Sequence, residues 1–400
     1  MLIELHMLQS FAPSNLNRDD TNNPKDCEFG GVRRARISSQ CIKRGIRTSP
    51  VFRRSVQVEP GVRTRLLARA LTDALTAAGK PKDEGEKVSR AIAAAFTSKK
   101  GRMDRDDPTR TSVAVYLSRS DIEWLMAEAI SRWEPLVACL AASADPPRQQ
   151  QGDKPTRRRA RRPSSAVEAL VEDLVERTAG RTDAPDIALF GRMLADHPKT
   201  NVDAACQVAH AISTHRVAME MDWWTAVDDL QPEGEAGAGM MGFAAFDSAC
   251  FYRYACIHWP QLVATLQDGD LARRTVEAFL RASIAAVPSG KQNSFAAHNP
   301  PSLALGVVRR NGFAWSLANA FERPVPMDRE GGYVRPSARA LDAYWGRLCR
   351  IYGTESLAAV AVLAVDDGLE LANLAAYRAD CLEPWLQSLL AALPTGEGER

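Results

Sequence analysis

Several protein classes are excluded by what this sequence lacks. No stretch of its 400 residues approaches the roughly 18 consecutive apolar side chains that a membrane-crossing helix needs. The opening MLIELHML has neither the charged start nor the apolar run of a secretory signal. A soluble, cytoplasmic chain with no membrane partner is the expectation. An excess of charge is also missing: 51 basic against 49 acidic residues leave a net +2. Any affinity for a polyanion must therefore come from where the basic residues lie. The eight cysteines are scattered, with no C-x-x-C pair and no histidine ligand pattern nearby. They read as reduced core residues, and no metal is expected. The glycine run at 234–242 lacks the Lys-Ser/Thr ending of a phosphate-binding loop, and Ser289, Gly290 and Lys291 are too few to make one. No cofactor is expected.

With 45% hydrophobic and 25% charged residues, the chain can bury one large core or two to three smaller ones. Ile3, Leu5 and Met7 alternate with Glu4 and His6, the period of a half-buried strand. A turn-rich loop over 10–31 follows, and a helix opens near Ser38, whose hydroxyl can cap it ahead of Cys41, Ile42, Gly45 and Ile46. Residues 60–186 change character: alanine- and leucine-rich stretches at 62–78 and 121–142 read as helices, and strand signals nearly vanish. Ser118 with Asp121 makes a capping box there, with Leu117 and Ile122 as its hydrophobic staple. The segment 146–165 carries Arg157, Arg158, Arg159, Arg161 and Arg162 without apolar residues and reads as a loop.

Alternation returns at Cys206, Val208, His210 and Ile212, again over 249–257, and at Leu303, Leu305 and Val307. An amphipathic helix over 270–287 separates the last two. The order strand, helix, strand, strand, helix, strand is that of an α+β, ferredoxin-like or RRM-like unit with two insertions. The expected division is 1–58, 187–221 and 247–400 for that unit and its C-terminal helices, 59–186 for a helical insertion, and 222–246 for a second insertion. The second begins with Trp223 and Trp224 and turns glycine-rich.

The densest chemical signal is NRDDTNNPKDCEFGGVRRARISSQCIKRGIR, residues 17–47. From 30 to 47 it holds Arg33, Arg34, Arg36, Lys43, Arg44 and Arg47 and no acid. Ser38, Ser39 and Gln40 stand at the expected helix start, where free backbone N–H groups suit a phosphate. Lys43 and Arg47, four apart, share one helical face. The combination favours gripping a nucleic-acid backbone without reading its sequence.

This segment, with FGRM at 190–193, VDAACQVAHAISTH at 202–215, DWWTAVDDL at 222–230, FYRYA at 251–255 and LANAFE at 317–322, resembles the backbone subunit of the type I-E CRISPR Cascade complex, the CasC family. The helical insertion is matched only loosely. The resemblance implies a hand-shaped protein with an RRM-like palm, helical fingers and a thumb, repeated along one CRISPR RNA that then pairs with target DNA. It implies guide contacts from Arg18, Lys25, Ser38, Gln40, Lys43 and Arg47, and nucleotide-displacing contacts from Met193 and Trp223 or Trp224. The implied partners are the guide, further copies of the chain, other Cascade subunits and a recruited helicase-nuclease. Two features depart from the pattern: the extra run at 234–242 with Met240 and Met241, and the arginine-rich finger loop, for which DNA contact and a solvated loop are equally open.

The chain is accordingly expected to be a non-catalytic guide-RNA-binding subunit. A metal-dependent ribonuclease would need Asp19 with Asp20, or Asp228 with Asp229, to hold a metal, and neither pair has a third ligand or a general base in sequence. A monomeric RNA-binding protein is the other alternative, but an insertion of aromatics and glycines has no evident task in a monomer. His210 and His215 read as structural, and Tyr252, Arg253 and Tyr254 as core rather than as a base-stacking strand.

Overall fold

The computed structural model describes residues 1–97, 103–144, 165–226 and 240–394. The chain forms two compact units: Met1–Gln57, Ala205–Val263 and Asp268–Arg400 make the first, and Val58–Ala204 with Ala264–Gln267 the second. The helical unit therefore includes residues 187–204. This corrects the assignment of 187–221 as one palm piece: Arg192 pairs with Val202 in an isolated bridge, and its guanidinium donates to the Thr200 and Thr178 carbonyls at 2.7 and 2.8 Å. Those bonds tie the stretch back to the helices. No helix among the described residues is long and apolar enough to cross a membrane.

The first unit is built on an antiparallel sheet. From one edge its strands run Leu357–Ala364, Leu303–Arg309, Leu2–Ser14, Met240–His258, Ala211–Ser213, Val32–Ile37 and Asp26–Phe29. Cys206–Val208 and Glu220–Ala226 also pair with Met240–His258. The first strand lies between the third and fourth of the expected series, with the second beyond the third, an order compatible with the ferredoxin-like arrangement. Both faces of Leu2–Ser14 are covered, so even Glu4, His6 and Gln9 are buried. Such polar groups persist only when bonded: Glu4 accepts from Arg309 Nε at 2.5 Å, and Gln9 from Arg253 at 2.5 Å. On one face Leu8, Tyr252, Leu305 and Val307 pack against Leu341 and Trp345 of the helix Val334–Tyr352. On the other, Gly306 leaves room for Leu389 and Trp385 of Leu382–Leu390, where any side chain would collide.

Two strands interrupt what reads in sequence as a loop. The opening strand runs on to Ser14, and Asp26–Phe29 pairs with Val32–Ile37 as a hairpin. Its two-residue turn, Gly30 and Gly31, has φ of 62° and 72°, the left-handed values that a type I′ turn demands. The expected helix over 270–287 is Gly269–Ala285, capped by the Asp268 carboxylate.

In the second unit, Leu67–Ala77, Lys82–Thr97, Arg119–Ser131, Trp133–Ala144 and Ala166–Arg177 pack around Leu71, Ile92, Leu125, Leu136 and Leu170. Strand is not absent there: Val62–Thr64 pairs with Val115–Leu117. The helix expected over 121–142 is broken at Arg132, because Pro135 has no N–H to continue the ladder. Ser118 caps Arg119–Ser131 as expected, accepting from Asp121 N at 3.1 Å, but the Asp121 carboxylate binds Arg177 at 3.0 Å.

Candidate nucleic-acid interface

The helix Ser39–Thr48 begins as its sequence requires. Ser38 is extended, and its Oγ accepts from Cys41 N at 3.3 Å; its own N–H donates to Asn17 Oδ1 at 2.8 Å. That second bond fastens the helix start to the preceding loop. Ile42 and Ile46 face the core, and the first turn holds no acid that would oppose an anion. Ser38 itself is buried, so its hydroxyl is occupied as a cap and it does not fit the role of an exposed guide contact. Gln40 and Arg44 are exposed, whereas Lys43 and Arg47, on the shared face, are half-buried.

The loop before it is held from within. Asp19 Oδ1 accepts from Thr21 N, Thr21 Oγ1 and Asn23 N at 2.8–2.9 Å, and these bonds, Thr21's hydroxyl foremost, hold its carboxyl below the usual range. Arg18 donates to Asn22 Oδ1 at 2.6 Å. Backbone bonds from Lys25 N to Asn17 O and from Arg36 N to Lys25 O, both 2.9 Å, join loop and hairpin. A groove of about 780 Å³ opens beside them, lined by Asn17, Arg18, Arg44, Thr48, Ser49 and His298 among others. Gly290 closes one wall, so near the Leu16 and Asn15 carbonyls that a Cβ would collide.

The hairpin arginines divide into three cases. Arg33 is exposed and ion-paired to Asp26. Arg36 donates through Nε to the Asp26 carbonyl at 3.0 Å, and its Nη1 lies 2.9 Å from His210 Nδ1. Arg34 departs from expectation: it is fully buried, donating to the carbonyls of Phe29, Ser213, Phe321 and Glu322 at 2.8–3.2 Å. Four of its five N–H groups are turned inward and hold the hairpin to two distant segments, so this buried side chain does not fit the role of an exposed RNA contact.

Burial first, then the charges of Arg36 and Lys25, pull the exposed His210 imidazole below its ordinary value. Lys25 and Arg44 likewise oppose the upward push that burial gives Cys41. Lys25 thus lies within electrostatic reach of both His210, beside Arg36, and Cys41, beside Arg44. His210, read from the sequence as structural, is exposed beside Arg36, a difference from His215 that nothing in AHAISTH signals. His215 is indeed structural: it stacks on Tyr333 at 3.5 Å, accepts from Cys250 N at 3.2 Å, and makes an Nδ1 contact with the Arg216 carbonyl at 2.9 Å. Tyr252 and Arg253 are buried, as expected of core residues, whereas Tyr254 is half-buried.

Glu220–Ala226 and the start of Met240–His258 form a ribbon carrying exposed Met221, Trp223, Trp224, Met240, Met241 and Phe243. Trp223 and Phe243 face each other across it at 6.0 Å, on the side opposite Trp224, which lies over Gly242. Asp228, Asp229 and residues 234–239 lie outside the described residues, as does the arginine run at 157–162. Met193, in the helical unit, is 84% exposed. Among the described residues no group of three or more His, Cys, Asp or Glu is placed to hold a metal.

A family model described as CT1975-like protein matches residues 3–388. A chain of a "CRISPR RNA-guided surveillance complex, pre-nicking" is similar at 30% identity and a TM-score of 0.82, with 98% of this chain and 100% of that one covered. A chain of a "CRISPR RNA-guided surveillance complex" is similar at 25% identity and a TM-score of 0.59, with 98% and 99% covered. No curated protein matches. With nearly its whole length matched, the chain belongs to the CT1975-like protein family.

Proposed function

We propose that this chain is a non-catalytic backbone subunit of a Cascade-type CRISPR surveillance complex, of the type I-E CasC kind, that binds guide RNA in repeated copies. The observation that carries the reading is the groove lined by Arg18 and Arg44 beside the capped helix start, next to the loop and hairpin that carry Lys25 and Arg36. Similarity over 98% of the chain to chains of CRISPR RNA-guided complexes supports it. The cations neutralise phosphates, the sheet unit acts as a palm that fixes RNA shape, and base pairing to target DNA supplies sequence specificity. The helical unit corresponds to the fingers and the Trp-Met ribbon to the thumb. Other Cascade subunits complete the particle, and cutting belongs to a recruited helicase-nuclease.

The test is RNA affinity as a function of salt. Lys43→Glu with Arg47→Glu probes the shared helix face, and Arg18→Ala with Arg44→Ala probes the groove. Each phosphate deprived of its cation should lower the log–log salt slope by about 0.7 for a single strand. Folded double mutants with unchanged affinity and slope would place the RNA elsewhere.

A further inference from the structure

A second groove, of about 850 Å³, lies wholly within the helical unit between Lys82–Thr97, Trp133–Ala144 and Ala166–Arg177. Its floor is apolar. Ala91, Ala95 and Leu140 are only partly covered by the core beneath, and Val171 and Val175 continue the same surface. The two alanines carry so little side chain that another backbone can approach closely. The rim is acidic: Glu168, Glu172 and Glu176 recur every four residues along one helix edge, with Asp196 nearby. Among the described residues of the lining, Lys199, ion-paired to Glu176 at 2.6 Å, is the one lysine or arginine. Counting His197 as neutral, four carboxylates against one ammonium give the described lining residues a formal charge of −3.

This rim repels phosphate, so nucleic acid is the wrong occupant. An open apolar trough walled by helices accepts the apolar face of another helix. Glu168 to Glu176 spans about 12 Å at 1.5 Å per residue, two turns of a partner helix. A partner lying alongside would meet the three carboxylates with basic residues at its own four-residue interval. We propose that this groove docks a short cationic amphipathic helix from another polypeptide, with Lys or Arg at i, i+4 and i+8 beside an apolar stripe. The chain's own arginine-rich segment does not fit: residues 146–164 hold arginines but no leucine, isoleucine, valine, methionine or aromatic residue to fill the floor. The proposal is independent of the RNA reading, which concerns the other unit.

The experiment uses the full chain and two labelled synthetic helical peptides that share a leucine stripe, one with flanking lysines and one with glutamates in their place. Fluorescence anisotropy should show saturable binding of the lysine peptide, weakening with salt, and at least tenfold weaker binding of the glutamate peptide. Glu172→Lys, an exposed change, should weaken the lysine peptide about fivefold and strengthen the glutamate peptide. Ala95→Phe should abolish both by filling the floor. Thermal melts identify variants that remain folded, and the two substitutions fail independently. Equal binding of the peptides, or no change in folded Glu172→Lys, overturns the proposal. A variant lacking 146–164 should bind as wild type does; binding gained only on that deletion would make the chain's own segment the occupant and also overturn it.

Discussion

Arg36 Nη1 stands 2.9 Å from His210 Nδ1 on the exposed side of the sheet unit. A guanidinium only donates, so Nδ1 accepts and the imidazole beside it is neutral. Burial and the nearby Arg36 and Lys25 charges keep His210 below its ordinary 6.5, so it resists protonation until the solution is more acidic than that. A phosphate placed there would reverse the local field and raise the imidazole's affinity for a proton. By linkage, RNA binding then takes up a proton and tightens as pH falls toward the lowered value of the free protein, by at most about tenfold per pH unit for one group. Anisotropy titrations between pH 5 and 8 should show this tightening, flattened in His210→Asn. The same slope in wild type and variant would remove His210 from the interface.

Arg34 should behave as a structural residue. Arg34→Met leaves four backbone carbonyls short of a donor, two of them on a segment 287 and 288 positions away. The expected loss is about 2–4 kcal/mol in urea unfolding, given the cost of leaving buried acceptors unsatisfied. RNA affinity of the fraction that folds should change little. A fully stable variant with sharply weaker RNA binding would return Arg34 to the interface.

Arg34 also marks where sequence reading stops. The helix start at Ser38 was legible because a cap is a local device: one hydroxyl, one N–H three residues on. The long strands were legible because period-two alternation survives in Ile3, Leu5 and Met7 and strand-forming residues cluster around Phe251. Burial of an arginine depends instead on carbonyls from Ser213, Phe321 and Glu322, brought together by separate stretches of chain. No charge count sees that, and within one RRAR run it separates an inward Arg34 from an exposed Arg33. The hairpin at Gly30 and Gly31 was legible in principle as a two-residue glycine turn, but the polar residues around it read as loop. The acidic groove was invisible because Glu168, Glu172 and Glu176 become a rim only when Ala91, Ala95 and Leu140 from other helices form the floor beside them.

The protein, alone or assembled on RNA, should cut neither RNA nor DNA with magnesium or manganese added. Asp19 spends one carboxylate oxygen on three bonds within its own loop, which leaves it poorly suited to gather a metal. Gel assays over hours at neutral pH are the check, with Asp228→Ala and Asp229→Ala alongside. Metal-dependent cleavage that vanishes in either variant would make the chain a ribonuclease.

The ribbon provides the test of repeated assembly. Trp223, at 75% exposure, and Phe243, at 58%, pair across two strands with their rings turned to solvent. Exposed apolar surface of this kind marks a contact surface when it is contiguous, and Met221 and Met241 extend it on the same face. Trp224 lies against Gly242 on the opposite face, so it helps hold the ribbon together and should be left intact. The informative variant is therefore Trp223→Ser with Phe243→Ser, which removes the exposed pair and keeps the strand pairing. It should fold, melt within about 1 kcal/mol of wild type, and bind a short RNA unchanged, since surface changes of this kind cost little. On longer RNAs the two proteins should part: measured by native mass spectrometry, wild type adds whole subunits as the RNA lengthens, and the variant remains at one copy or binds copies without cooperativity. A head-to-tail contact is open-ended by its nature, so removing one side of it stops growth at every junction alike. Stepwise addition identical to wild type would show that this ribbon does not join neighbouring copies, and assembly would then have to rest on another surface of the chain.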